Sequence, residues 1–95
     1  MRESFPILLV CLGVIILKAE IIKVNYRRGL AVFLRNDGEY GWLEILDTTD
    51  LQPEEIVFGN FSDLGGTSIR KETGETVDVF IEDFCSLKMA IQNIS

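Results

Sequence analysis

The run from Leu30 to Leu46, LAVFLRNDGEYGWLEIL, places two apolar segments on either side of Asp37-Gly38. Asp-Gly suits a two-residue hairpin loop in which both central residues take positive φ. Such a loop sets Arg35 opposite Tyr40, Phe33 opposite Trp42, Val32 opposite Leu43 and Leu30 opposite Ile45. One face of the ribbon is then Leu30, Val32, Leu34, Gly41, Leu43 and Ile45, which is a core. The other is Ala31, Phe33, Arg35, Tyr40, Trp42 and Glu44, an aromatic and charged surface. Because side chains alternate with period two, a slip of one residue exchanges the faces, so turn and pattern constrain the register together.

The rest of the chain from Ala19 onward is built in the same way, from short alternating segments between turn residues. Ala19–Tyr26 reads as a strand with Ile22, Val24 and Tyr26 on one face and Ile21, Lys23 and Asn25 on the other. Arg27-Arg28-Gly29 turns into a second strand, Leu30–Asn36, and Glu39–Leu46 is the third. A connection over residues 47–55, with a helical turn capped by Asp50, leads to a fourth strand, Ile56–Phe61. Gly65-Gly66 opens a weaker strand, Thr67–Lys71, and Gly74 a hairpin turn. The fifth strand, Thr76–Asp83, sets Val77, Val79 and Ile81 inward against Asp78 and Glu82 outward. After Ser86, Leu87, Ala90, Ile91 and Ile94 recur at helical spacing. The expected fold is all-β with a short C-terminal helix: a five-stranded antiparallel barrel, with an SH3-like small barrel as the alternative.

Ninety-five residues make one domain. Within it, residues 18–95 form the barrel unit and residues 1–17 an apolar segment of different character. Phe5–Leu17 is continuously apolar, shorter than the ~20 residues a membrane-spanning helix needs. Three readings stand for it: a mis-annotated start with translation beginning near Leu17, a membrane or export segment, or an extra structural element. The two cysteines, Cys11 and Cys85, form no disulfide framework, which suits the cytoplasm, with a membrane-anchored or exported location as the alternative.

The chain has no histidine and a net charge of −6. The first removes the usual general base and zinc ligand; the second works against binding a polyanion. Asp47, Asp50, Glu54-Glu55 and Glu82-Asp83 lack the spacing of a cation-binding loop. Neither a metal nor a cofactor is expected, and no catalysis.

Arg28-Gly29-Leu30-Ala31-Val32-Phe33 is similar to the basic-Gly-Phe-Gly-Phe stretch of cold-shock domains. Gly38–Leu46 resembles the third strand of ribosomal-type RNA-binding OB domains. Leu30 and Val32 stand where those domains carry stacking aromatics, and Ala31 where they carry glycine. The resemblance implies an OB-fold whose second and third strands face the ligand. On it, Phe33, Arg35, Tyr40 and Trp42 form the candidate ligand-binding face, and Lys23, Arg27, Arg28, Arg70 and Lys71 are candidate phosphate contacts.

The function expected first is a small binding module for a protein partner or a second copy, acting through the aromatic sheet face or an edge strand such as Thr67–Lys71. Single-stranded RNA or DNA binding is the alternative. A membrane-tethered β domain is the third, and depends on residues 1–17.

Overall fold

The structure, a computed structural model, describes residues 17–95. The three readings of the apolar segment therefore fall outside the described residues, except for Leu17, which opens the first strand.

Six strands close into one antiparallel barrel: β1 (Leu17–Asn25), β2 (Leu30–Arg35), β3 (Tyr40–Ile45), β4 (Ile56–Gly59), β5 (Gly65–Lys71) and β6 (Thr76–Phe84). The helix α1 (Leu87–Ile94) follows. The order around the barrel is β1-β2-β3-β6-β5-β4, with β4 returning to β1. The expected five strands become six because Gly65–Lys71 pairs with β6 along its whole length, although Ile69 is the one bulky aliphatic it offers the interior. Closure also removes the expected edge strand, since β5 is hydrogen-bonded to β6 on one side and to β4 through Arg70 and Lys71 on the other.

The interior is filled by Ile21, Ala31, Phe33, Leu43, Leu51, Val57, Phe61, Ile69, Val77, Val79 and Ile81, all buried. Leu51 and Phe61 come from connections rather than strands and fill space that strand side chains leave. The connection over residues 46–55 laces onto β1, with Glu54 N–H donating to Ile21 O and Ile21 N–H to Glu55 O, at 2.6 and 2.9 Å. It makes a simple turn at Pro53-Glu54, not the expected helical turn.

The hairpin register differs from the expectation by one residue. Leu30 faces Glu44, Ala31 faces Leu43, Val32 faces Trp42, and Phe33 faces Gly41. The loop is Asn36-Asp37-Gly38, three residues, closed by Arg35 N–H donating to Glu39 O at 2.8 Å. Only Gly38 takes positive φ, +93°; Asp37 keeps an ordinary conformation and accepts from Glu39 N–H instead. This is a type I turn followed by a left-handed residue, the usual geometry of a three-residue hairpin loop. Its effect is to turn Ala31, Phe33 and Arg35 to the barrel side of β2, and Leu30, Val32 and Leu34 outward. Gly41 makes room for this. A Cβ there would come within 2.6 Å of both the Phe33 ring and Asp83 O.

The first strand departs too. A bulge between Ile21 and Lys23 brings both Ile21 and Val24 against the barrel core, with Ile22 outside. Inserting one residue shifts the alternation by one, which a strict period-two reading misses.

The outward apolar side chains of β2 would be a liability if left in water. Helix α1 lies over β1, β2 and β3 and buries them in a second cluster of Leu30, Val32, Ala90 and Ile94, with Tyr40, Trp42, Cys85, Leu87 and Ile91 at its margin. The expected stripe of Leu87, Ala90, Ile91 and Ile94 is the face that docks. Ser86 caps the helix by accepting from Met89 N–H at 3.2 Å. At the far end, the Asn25 side-chain amide donates to Ile94 O at 2.6 Å, and the Arg28 guanidinium donates to Asn93 O at 3.3 Å and to Ser95 O.

Candidate functional site

The four residues expected to form one ligand face are divided by the barrel wall. Phe33 is in the core, 0% exposed, with its ring 4.9 Å from that of Phe61 and edge-on to Phe84 at 6.1 Å. Arg35 lies at the barrel end. Its Nε donates to the Asp37 carboxylate at 3.0 Å, a second nitrogen pairs with the other carboxylate oxygen, and its Nη1 donates to Phe61 O at 3.0 Å. Its guanidinium also sits 5.2 Å from the Phe84 ring centre. The hydrogen bond from Arg35 holds the Asp37 carboxyl below the usual carboxylate range, and the same bond raises the guanidinium. Arg35 thus ties the hairpin tip to the β4–β5 loop and the end of β6. Tyr40 and Trp42 are on the outer wall, half-buried at the margin of α1. The indole Nε1 of Trp42 is buried with no hydrogen-bond partner among the described residues.

The candidate phosphate contacts are scattered, and two are engaged internally. Arg28 holds the end of α1. The Lys71 ammonium lies 3.3 Å from Glu55 and 3.6 Å from Glu75. Lys23 and Arg27 are exposed towards the far end of β1, and Arg70 is exposed on β5.

Several of the acidic groups act within the fold. Asp47 accepts from Asp78 N–H at 2.9 Å and Thr49 N–H at 2.8 Å, which lowers its carboxyl below the ordinary range. Among the described residues no three histidine, cysteine or acidic side chains gather as a metal set, and no helix is long and apolar enough to cross a membrane. Burial raises the Cys85 thiol, and the nearby carboxylates of Asp83 and Glu39 add to the effect.

What the barrel does assemble is the outer wall of its other half. Around the β1–β4–β5 seam, Lys18 is directly opposite Phe58, and Phe58 directly opposite Arg70. An aromatic ring stands between two cations. A shallow depression of about 220 Å³, lined by Phe58, Ser68, Arg70 and Thr76 among others, runs beside it. Further along the same wall, Phe80 is flanked by Glu44 on β3 and Gly66 on β5, and is 41% exposed. Between the two rows, Ser68 donates to Asp78 across the β5–β6 pair at 2.6 Å. Gly66 and Arg70 are four residues apart on β5, so the rows are about 13 Å apart at ~3.3 Å per residue. No described element lies over this wall.

Sequence reasoning missed Phe58 and Phe80. Phe80 carried a signal, since it shares the outward positions of β6 with Asp78 and Glu82. Phe58 carried none, because its neighbours come from β1 and β5 and meet it only when the barrel closes. The molecule is by these observations a small closed six-stranded β-barrel with a helix on one half and an aromatic, mixed-charge wall on the other. Comparison with family models, curated proteins and solved structures returns no match to this chain.

Proposed function

We propose that the chain is a small non-enzymatic binding module whose ligand surface is the uncovered wall of β4, β5 and β6, and whose ligand is a protein. The observation that carries this is the pairing of two partly exposed phenylalanines with charges of both signs: Lys18 and Arg70 beside Phe58, Glu44 beside Phe80. Aromatic anchors among mixed polar groups are the composition of protein interfaces. A polyanion would want one sign throughout, and Arg28, Arg35 and Lys71 are already spent on internal partners. An OB-like reading of the barrel is supported by the β1–β3 meander closed through β1–β4 and β3–β6.

The row Lys18–Phe58–Arg70 favours one second reading, a single-stranded RNA or DNA strand stacked on Phe58 with its phosphates on the two cations. A photo-reactive amino acid at Ser68, in the middle of the wall, tests both in cells, with exposed Asp50 on the connection between β3 and β4 as control. Protein adducts at Ser68 and not at Asp50 support the proposal. Nucleic-acid adducts at Ser68 replace it with the second reading, and equal or absent labelling at both positions overturns both.

A further inference from the structure

Three exposed apolar side chains fall on one line across the wall. Phe80 on β6 is 41% exposed and sits between Glu44 on β3 and Gly66 on β5. Leu46, 53% exposed, extends β3 and donates its N–H to Asp78 O at 2.8 Å, which sets it two positions along β6 from Phe80. Leu64, 57% exposed, precedes Gly65, the partner of Ile81, and so comes level with Glu82, two positions the other way. Leu46, Phe80 and Leu64 thus form a diagonal over three neighbouring strands, about 16 Å from end to end. The charges along it have one sign. Glu44 is directly beside Phe80, and Asp78 and Glu82 are the outward residues on either side of it on β6. Exposed Asp47 and Asp63 adjoin Leu46 and Leu64 in the chain. Along β5 the first cation is Arg70, about 13 Å from Gly66. The Phe58 end selects no sign, since Glu72 lines it beside Arg70.

Gly66 is a separate observation. Its φ is not positive, and a Cβ there would meet nothing closer than 4.0 Å. The barrel has room for any side chain at this position, and a glycine inside a strand weakens it. What the glycine does is leave one flank of the Phe80 ring open.

We infer that the Phe80 end of the wall binds a basic amphipathic helix of another protein. The apolar face of that helix lies along Leu46, Phe80 and Leu64, and its lysines or arginines meet the carboxylates of Glu44, Asp78 and Glu82. This rests on the reading of the wall as a protein-binding surface and names the chemistry of the partner. A helix suits the closed barrel because closure leaves no open sheet edge for an added strand. A helix satisfies its own backbone, and α1 already lies in this way on the outward side chains of Leu30 and Val32 in the other half. A diagonal of about 16 Å corresponds to about three helical turns. The apolar contacts supply most of the affinity, and the carboxylates set orientation and encounter rate.

Fluorescence anisotropy of two labelled synthetic helical peptides, titrated with the full chain, tests this. Both carry leucines along one face; the remaining positions are lysine in one peptide and glutamate in the other. The leucine–lysine peptide should bind, less tightly as salt is added, and the leucine–glutamate peptide roughly tenfold more weakly or not at all. Gly66→Thr changes no charge and suits a strand, yet should weaken binding of the leucine–lysine peptide roughly tenfold by closing off Phe80. Glu44→Lys should do the same, whereas Glu72→Lys, an equal change of net charge at the Phe58 end, should weaken it less than about threefold. Circular dichroism shows that each variant is folded. Equal binding of the two peptides, or none, overturns the inference. So does binding indifferent to Gly66→Thr, or weakened equally by Glu44→Lys and Glu72→Lys, since the attraction is then to the overall negative charge. The two levels of the argument fail separately. If the leucine–lysine peptide does not bind while position 68 still labels a protein, the basic helix falls and the protein-binding wall stands; if neither occurs, both fall.

Discussion

The two halves of the barrel bury their strands differently. In the half under α1, β2 is covered on both sides, by the interior and by the helix, so that Leu30, Ala31, Val32 and Phe33 are buried in succession, while β1 and β3 beside it keep Lys18 and Glu44 exposed. β4, β5 and β6 are covered on one side, and β6 alternates exposed and buried through Thr76 to Ile81. The first half spends its apolar residues on stability. The second keeps Phe58 and Phe80 partly in water, where they contribute little to folding and are available to something else. A strand buried on one face is therefore the part of such a barrel in which an outward aromatic carries information about function.

Substitutions in the two halves should separate along this line. The largest effect is expected for Phe33→Ala, about 3–5 kcal/mol by urea denaturation, because it opens a cavity against Phe61 and Phe84. Against a total stability of about 5–15 kcal/mol that is enough to leave much of the protein unfolded. A loss below about 1 kcal/mol would mean that Phe33 does not occupy the core. Ile94→Ala should follow, at about 2–4 kcal/mol, with a red shift in the fluorescence of Trp42 as α1 loosens over it. Unchanged emission would show that the helix does not shelter Trp42.

Arg28→Ala removes donors from the last carbonyls of α1 and should cost about 1 kcal/mol, read as faster hydrogen exchange confined to residues 91–95. Phe80→Ser, in the one-sided half, should cost about 0.5 kcal/mol, as for other surface changes. A cost near that of Phe33→Ala would erase the distinction between the halves. The smallest effect at neutral pH is expected for Asp47→Asn. The native carboxyl of Asp47 is lowered by its hydrogen bonds from Asp78 and Thr49, so the folded state binds its proton less readily than the unfolded chain. That stabilisation is present above the ordinary carboxylate range, near pH 4, and disappears as pH falls through the lowered native value. The variant should show a flatter fall of stability below about pH 4, measured by urea midpoints at a series of acid pH values.

The same division explains what could be read from the residues. In β6 the alternation of Val77, Val79 and Ile81 with Asp78 and Glu82 has one solution, and the structure adopts it. The apolar stripe of α1 is likewise unambiguous. In β2 the residues Leu30 to Leu34 are apolar on both faces, so either register satisfies the pattern, and only the turn decides. Asp37-Gly38 supports both a two-residue and a three-residue loop. The choice falls to Asp37, which keeps its backbone relaxed and uses its carboxylate to bind Arg35 and Glu39 N–H. The shift of one residue moved Phe33 indoors and dissolved the expected face. The wall that replaces it depends on closure between β1 and β4, a pairing of residues about forty apart that no local pattern announces.

The clasp between the β1–β2 turn and the end of α1 sets an order of events during synthesis. Asn25 and Arg28 are made 65 to 69 residues before the carbonyls of Asn93, Ile94 and Ser95 that they hold. Between Val32 and Ile94 a ribosome adds roughly 60 residues, which takes on the order of 3–12 s at ~5–20 residues per second. Throughout that interval the outward side chains of Leu30 and Val32 have no helix to cover them. The nascent chain carries a sticky strip until its final turn of helix arrives, and its exposure to chaperones and to neighbouring chains is set by the pace of elongation as much as by the stability of the finished barrel.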